Sequence, residues 1–252
     1  MTSQPLNGKI ALVTGASRGI GRAIARKLAQ AGCDVAVGYF NNRREAEAAC
    51  EEIRGLGRRA LPLRANVGDP ASVADLVGSF RDEFDRLDLL ISNAASGVLK
   101  PASELTLKHW RWCLEINALA LNLLAQRLTP MMPPGSRIVA LSSLGSQRAI
   151  PMYGFVAASK AALEALVRTL ALELGGQGIR VNAVSAGIVD TDALRAFPHR
   201  DQLLEAFAEK TPLGATLTPE QVAGAVYLLC LPESEMVTGH TLVVDGGYSI
   251  TG

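Results

Sequence analysis

Aromatic side chains are scarce in this sequence: they make up 5% of it, as 4 Tyr, 2 Trp and 6 Phe. Chemistry that needs a phenol must therefore draw on Tyr39, Tyr153, Tyr227 or Tyr248. Cysteine is scarce as well, with 4 residues at Cys33, Cys50, Cys113 and Cys230. No two have Cys-x-x-Cys spacing and no His follows at ligand distance, which argues against zinc. Scattered thiols in a chain of 252 residues also argue against a disulfide framework and suit a reducing, cytoplasmic setting. An excess of one charge is missing too. Lys and Arg number 25 against 24 Asp and Glu, a formal net charge of +1, so neither a basic nucleic-acid surface nor an acidic tail is expected. No apolar run approaches membrane-spanning length, and the opening MTSQPLNGK lacks the apolar stretch of a signal peptide.

What is present is core-forming material: 48% of residues are hydrophobic and 19% charged, which rules out disorder as the main state. Strand-like runs occur at Lys9–Thr14, Asp34–Tyr39, Arg59–Arg64, Leu87–Ser92, Arg137–Ser142, Ile179–Val184 and Thr241–Val244. Helix-period segments fall between them. The first, Gly19–Ala31, repeats Ile20, Ile24 and Leu28; the second is Arg43–Leu56, closed by Gly55 and Gly57. Asp69 and Pro70 are a cap and first residue for a helix to about Phe84. Two more cover Thr106–Thr129 and Tyr153–Leu174. The alternation predicts an α/β fold: a single-domain, Rossmann-type, doubly wound parallel sheet of about seven strands with helices on both faces. A closed eight-stranded barrel is the competing architecture, but the strand count and the Gly-rich first turn favour the open sheet.

That turn reads Gly15-Ala16-Ser17-Arg18-Gly19-Ile20-Gly21. Glycines between a strand and a helix let the backbone turn tightly and approach a pyrophosphate, which the helix N-terminus stabilises through free N–H groups. Its Gly-x-x-x-Gly-x-Gly spacing, after Thr14, resembles the short-chain dehydrogenase/reductase family. Further matching stretches are Asn93-Ala94-Ala95, Asn117, Ser142-Ser143, Ser159-Lys160-Ala161-Ala162, Asn182-Ala183-Val184-Ser185-Ala186-Gly187 after strand six, and Val244-Asp245-Gly246-Gly247. The resemblance spans nearly the whole chain and implies NAD(P) and hydride transfer. It implies a cofactor site made of Gly15, Ser17, Arg18, Gly19, Ile20, Gly21, Tyr39, Asn41, Arg43, Asn66, Val67, Asn93, Ala94, Ala95, Lys160, Gly187, Ile188 and Thr191.

An NAD site usually places an acid at the end of strand two to take the ribose hydroxyls. Here that stretch is Gly38-Tyr39-Phe40-Asn41-Asn42-Arg43-Arg44, without an acid. Arg18 with Arg43 or Arg44 can meet a 2′-phosphate instead, so NADPH is expected. Arg43 and Arg44 also read as a solvated helix start. Asn66 is placed to hydrogen-bond adenine and Val67 to pack on it.

In most of the family a proton-donating Tyr lies four residues before the Lys. That position is Val156 here, and Tyr153 lies seven residues before Lys160. On a helix both positions share a face with Lys160. The Tyr-x6-Lys spacing resembles the enoyl-acyl-carrier-protein reductases, and three stretches look like their type III group: Asn93–Leu99, Ser142–Ser146, and Asp190–Leu194 with Phe197-Pro198. The resemblance implies these roles: Tyr153 stabilises the enolate oxygen, Lys160 holds the nicotinamide ribose and lowers the phenol's pKa, Ser143 orients the thioester or the Tyr, and Asn117 holds a helix kink and a water.

The expected activity is NADPH-dependent reduction of trans-2-enoyl thioesters in fatty-acid synthesis, with acyl carrier protein as partner. A 3-ketoacyl or other carbonyl reductase is the alternative, and a non-catalytic NADP-binding subunit the third. The segment 190–218 interrupts the strand–helix alternation and reads as a substrate lid. Leu194, Phe197, Leu203, Leu204 and Phe207 there suit an acyl chain, and Arg195, His199, Arg200 and Lys210 an acidic carrier. Trp110 and Trp112 read as packing or subunit contacts, and Ala-rich helix faces suit a homotetramer.

Overall fold

The computed structural model describes residues 4–191, 194 and 200–251, with the backbone alone at Leu203. Seven apolar runs form strands: β1 (Ile10–Val13), β2 (Asp34–Tyr39), β3 (Ala60–Arg64), β4 (Leu89–Ser92), β5 (Arg137–Ser143), β6 (Arg180–Ala186) and β7 (Thr241–Val244). Helices α1 (Gly19–Gln30), α2 (Arg43–Gly55), α3 (Pro70–Glu83), α4 (Leu107–Leu114), α5 (Ala120–Leu128), α6 (Gly154–Leu174), α7 (Arg200–Lys210) and α8 (Pro219–Cys230) connect them. The strands form one parallel sheet in the order β3-β2-β1-β4-β5-β6-β7, the expected doubly wound arrangement rather than a closed barrel.

A parallel sheet is covered on both faces, which is why its strands are near-continuous apolar runs. Along β1 the side chains alternate between two cores: Ala11 and Val13 enter one, Ile10 and Leu12 the other. Ile24, Leu28, Ile53, Val222 and Val226 from α1, α2 and α8 fill the first. Leu76, Phe80, Leu121, Leu124, Leu163 and Val167 from α3, α5 and α6 fill the second. A fully buried Leu of this kind contributes about 2 kcal/mol. The strand order reverses between β1 and β4, so a crevice opens above the carboxyl ends of those strands, where ligands bind in such sheets.

Several boundaries differ from the sequence expectation, and four of them bear on the site. The expected helix over Thr106–Thr129 is broken by a π-turn, Glu115–Leu119, that carries Asn117. An inserted residue in the hydrogen-bond ladder produces such a turn, and periodicity alone does not show it. Next, β6 runs to Ala186, so Asn182–Ala186 lies within the strand and not after it. Asn182 Nδ2 donates to the Val237 carbonyl at 2.8 Å and its Oδ1 accepts from His240 N at 3.0 Å, which fixes the entry to β7. Finally, β5 ends at Ser143, and Tyr153 is the cap of α6 rather than its first residue. Asp69 caps α3 as read, accepting from Ala71 N and Ser72 N.

Among the described residues no helix is long and apolar enough to cross a membrane. No group of three or more His, Cys, Asp or Glu among them is placed to hold a metal ion. The four cysteines are free and buried, and burial pushes the Cys50 thiol up to about 11.

Candidate active site

The glycine loop is set by close approach. Gly15 has φ +63°, and a Cβ there would lie 2.9 Å from Ala94 Cα. A Cβ on Gly21 would lie 2.3 Å from the Gly15 carbonyl oxygen. A Cβ on Gly19 would meet nothing closer than the Thr191 methyl at 3.8 Å, so this glycine keeps space open above the start of α1. Thr14 ties the loop to β4: its Oγ1 accepts from Asn93 N and Ala94 N, both at 3.0 Å. Asn93 Nδ2 returns bonds to the Thr14 and Gly15 carbonyls at 2.9 and 3.1 Å. α1 begins without a side-chain cap and without an acid in its first turn. Its leading N–H groups and the positive end of its dipole therefore face the crevice, which fits a pyrophosphate.

The remaining expected cofactor residues follow the same crevice. Ser17 and Ile20 are half-buried on the loop, and Ala95 is exposed at the mouth. Gly187, Ile188 and Thr191 follow β6, and Gly187 N donates to the Val244 carbonyl at 2.9 Å. At the outer end Tyr39 packs on the core while Asn41 and Arg43 are exposed. Arg43 lies 3.9 Å from Glu47, an exposed pair of little strength. Arg22 is engaged by Glu45 and Glu52 at 3.2 and 2.7 Å. Arg18 makes no ion pair among the described residues. Asn66 Oδ1 accepts from Gly68 N at 3.2 Å, with Val67 buried beside it. Asn42, which the sequence reading left without a role, caps α2 by accepting from Glu45 N.

On the other side of the crevice β5 meets α6. The Tyr153 ring lies over Gly145, where a Cβ would fall 2.6 Å from the ring. Its hydroxyl donates to Ser143 Oγ at 3.4 Å. Val156 is 7% exposed and turns away toward Gly97, where a Cβ would lie 2.3 Å from its methyl. Lys160 is 6% exposed, and its Nζ donates to the Leu141 carbonyl at 2.6 Å. Burial lowers the Lys160 ammonium to about 8, against the opposing charge of Glu164. Burial raises the Tyr153 phenol, against the pull of its bond to Ser143. Lys160 is not among the groups acting on the phenol in this arrangement, where its ammonium bonds the strand carbonyl.

The Asn117 side chain is fully used. Its Oδ1 accepts from Ser96 N at 2.8 Å, and its Nδ2 donates to the Ser96 carbonyl at 2.8 Å and to Ser159 Oγ at 2.9 Å. It ties the loop after β4 to α6. Glu164 and Gln147, like Asn42, have no role in the sequence expectations. Glu164, on the buried side of α6, accepts from Ser142 Oγ at 2.5 Å and from Gln147 Nε2 at 3.3 Å. An acid four residues after Lys160 on a helix face that must be buried was the available signal.

The described residues of segment 190–218 differ in burial. Phe207 is buried and stacks on Tyr248 with ring centroids 4.6 Å apart, so it anchors α7 rather than lining an acyl site. Leu194 is buried, Leu204 is half-buried and Lys210 is exposed. Arg200 bonds Asp190 and Asp201, so its charge is already matched. Asp192, Ala193, Arg195, Phe197, Pro198, His199 and the Leu203 side chain lie outside the described residues. Trp110 packs edge-on against Phe155 at 5.2 Å, and Trp112 is exposed.

A family model described as enoyl-(acyl carrier protein) reductase matches residues 15–249. The chain belongs to the short-chain dehydrogenase/reductase family. It is 36% identical over 244 residues to 1-cyclohexenylcarbonyl-CoA reductase of Streptomyces collinus, covering 96% of this chain and 87% of that one. It is 32% identical over 250 residues to a hydroxynaphthalene reductase of Aspergillus fumigatus, covering 95% and 92%. A short-chain dehydrogenase of Burkholderia cenocepacia, solved in complex with NADP, superposes with a TM-score of 0.90 at 35% identity over 97% of this chain and 99% of that one.

Proposed function

We propose that this protein uses NADPH to reduce the C=C bond of trans-2-enoyl thioesters, with the acyl group carried on acyl carrier protein in fatty-acid synthesis. One observation carries the reading: the phenol beside Ser143 is Tyr153, while the position four before Lys160 holds a buried valine packed on Gly97. Ketone reduction delivers hydride to the carbon that bears the oxygen. Enoyl reduction delivers it to C3, while charge builds on the thioester oxygen at C1. The group that stabilises that oxygen must stand further from the hydride source, as a Tyr displaced toward the helix start does.

Bound NADPH supplies the hydride. The leading N–H groups of α1 hold its pyrophosphate, and Arg18 meets the 2′-phosphate with Arg43 at the outer rim. Tyr153, kept protonated by burial, donates to the thioester oxygen and stabilises the enolate. Ser143 orients the phenol from 3.4 Å. Lys160 remains charged at neutral pH and holds the nicotinamide ribose by giving up its bond to Leu141. The enolate then takes a proton at C2 from solvent, by way of a water on the main chain of the π-turn. Within segment 190–218, α7 with the half-buried Leu204 is assigned to the acyl side of the site.

The Streptomyces relative supports this reading, because the substrate in its name is a thioester whose carbonyl is conjugated to a ring double bond. The NADP in the Burkholderia structure supports the cofactor. The Tyr153–Ser143 pair would also serve a ketone oxygen, and the hydroxynaphthalene reductase keeps carbonyl reduction as the second reading. The exposed apolar residues Leu107, Trp112, Leu119 and Leu172 are assigned to contacts within a homotetramer; a monomeric mass by light scattering refutes that assignment.

The test is NADPH oxidation with crotonyl and acetoacetyl thioesters, on coenzyme A and on acyl carrier protein, for the parent and Tyr153→Phe. Crotonyl turnover is expected, falling about 100-fold or more without the phenol. Turnover of the keto substrate alone refutes the enoyl reading. NADPH binding without turnover of either points to a non-catalytic subunit.

A further inference from the structure

Three successive residues of β5 each bond a side chain of α6 or its cap. Leu141 accepts from Lys160 through its carbonyl, Ser142 donates to Glu164, and Ser143 accepts from Tyr153. Positions 153, 160 and 164 lie on one helical face, so a single stripe of α6 grips the strand end. Tyr153 and Lys160 belong to the proposed reaction; Glu164 does not. It is 4% exposed, and a buried carboxylate is costly unless donors hold it. Two do: the Ser142 hydroxyl at 2.5 Å and the Gln147 amide at 3.3 Å. Gln147 ends the short turn Leu144–Ser146, whose Gly145 lies directly against the Tyr153 ring. Glu164 makes no direct ion pair with Lys160 among the described residues, so it reaches the ammonium across a gap and not by contact.

We propose that Glu164 is a positioning residue of the active site: it braces, through Ser142 and Gln147, the turn that seats the Tyr153 ring, and it places a negative charge one helical turn beyond the Lys160 ammonium. The inference rests on the assignment of Tyr153 and Lys160 to the reaction. Two effects follow and can be separated. The brace sets where the phenol stands, which governs turnover. The charge sets the pH above which Lys160 loses its proton, since Glu164 works against the lowering by burial. Glu164 is the charged group that acts on Lys160, and Cys113 on α4 is the other titratable group beside the Tyr153 phenol.

The experiment compares the full-length parent, Glu164→Gln, Gln147→Ala and Tyr153→Phe, measuring kcat and KM for crotonyl thioester from pH 6 to 10 and the NADPH Kd by fluorescence. In Glu164→Gln, kcat is expected to fall roughly tenfold with the NADPH Kd within about twofold of the parent. The alkaline limb of kcat is expected to move about half a unit or more to lower pH, because the neutral amide no longer supports the ammonium. Gln147→Ala changes an exposed residue and keeps the charge, so it is expected to lower kcat several-fold with the limb in place. An unmoved limb with parental kcat in Glu164→Gln overturns the inference. So does a loss of NADPH binding that accounts for the whole fall in kcat. Should Glu164→Gln not fold, a parental kcat in Gln147→Ala overturns it. Full activity in Tyr153→Phe instead refutes the underlying assignment of the site, which separates the two failures.

Discussion

The two walls of the crevice are built by different means. The wall from β1, α1 and β4 is shaped by missing side chains, with Gly15 against Ala94 and Gly21 against the Gly15 carbonyl, and Thr14 and Asn93 pin its backbone. The wall from β5, α6 and the π-turn is held by polar side chains buried out of water: Lys160, Glu164, Ser142 and Asn117. The first is a backbone surface that any dinucleotide pyrophosphate can approach. The second places particular atoms and decides what chemistry follows. Binding on the first wall is a matter of shape, and the reaction proposed for the second depends on a few polar groups whose burial costs stability.

Gly21→Ala tests the first wall most severely. Its Cβ would fall 2.3 Å from backbone, which cannot move as a side-chain end can. A loss of more than about 3 kcal/mol of stability is expected in thermal or denaturant unfolding, together with loss of NADPH binding. A stable, NADPH-binding variant would break the claim that shape sets this wall.

Lys160→Met tests the cost of the second. Burial lowers the Lys160 pKa from 10.5 to about 8, so the unfolded chain binds this proton more tightly than the folded one. Below pH 8 the folded state carries the full cost; between pH 8 and 10.5 the cost fades and the parent's stability rises with pH. The inactive variant is expected to be more stable than the parent by about 1–3 kcal/mol at pH 7, with the gap narrowing above pH 8. Gly145→Ala gives a smaller effect. Its Cβ would displace the Tyr153 ring, lowering kcat about tenfold while NADPH binding stays unchanged. Smallest is Arg18→Ala at the rim, which is expected to raise the NADPH Kd up to about tenfold while that of NADH stays as in the parent.

The same contrast explains what was readable in advance. The doubly wound sheet, its helices and the glycine loop leave continuous apolar runs, period-3.6 patterns and punctuating glycines. The cap at Asp69 and the missing acid after Tyr39 are local in the chain. The β5–α6 wall is not local: Ser142 and Glu164 meet across 22 residues and Asn117 and Ser159 across 42. No periodicity marks such pairs, and Tyr153 stood out only because tyrosines are few and its spacing to Lys160 is unusual. Phe207 shows the opposite error. Its place in the lid suggested an acyl-binding surface, while the fold buries it on Tyr248.

On the proposed function, a phenol set seven residues before Lys160 serves reduction of a C=C bond. The most direct measurement follows deuterium from NADPH labelled at C4 into crotonyl thioester, with the product examined by mass spectrometry and NMR. The expected product is a butyryl thioester with deuterium at C3 and a solvent proton at C2. No label in the crotonyl product, with acetoacetyl thioester converted to 3-deuterated 3-hydroxybutyryl thioester, would contradict it.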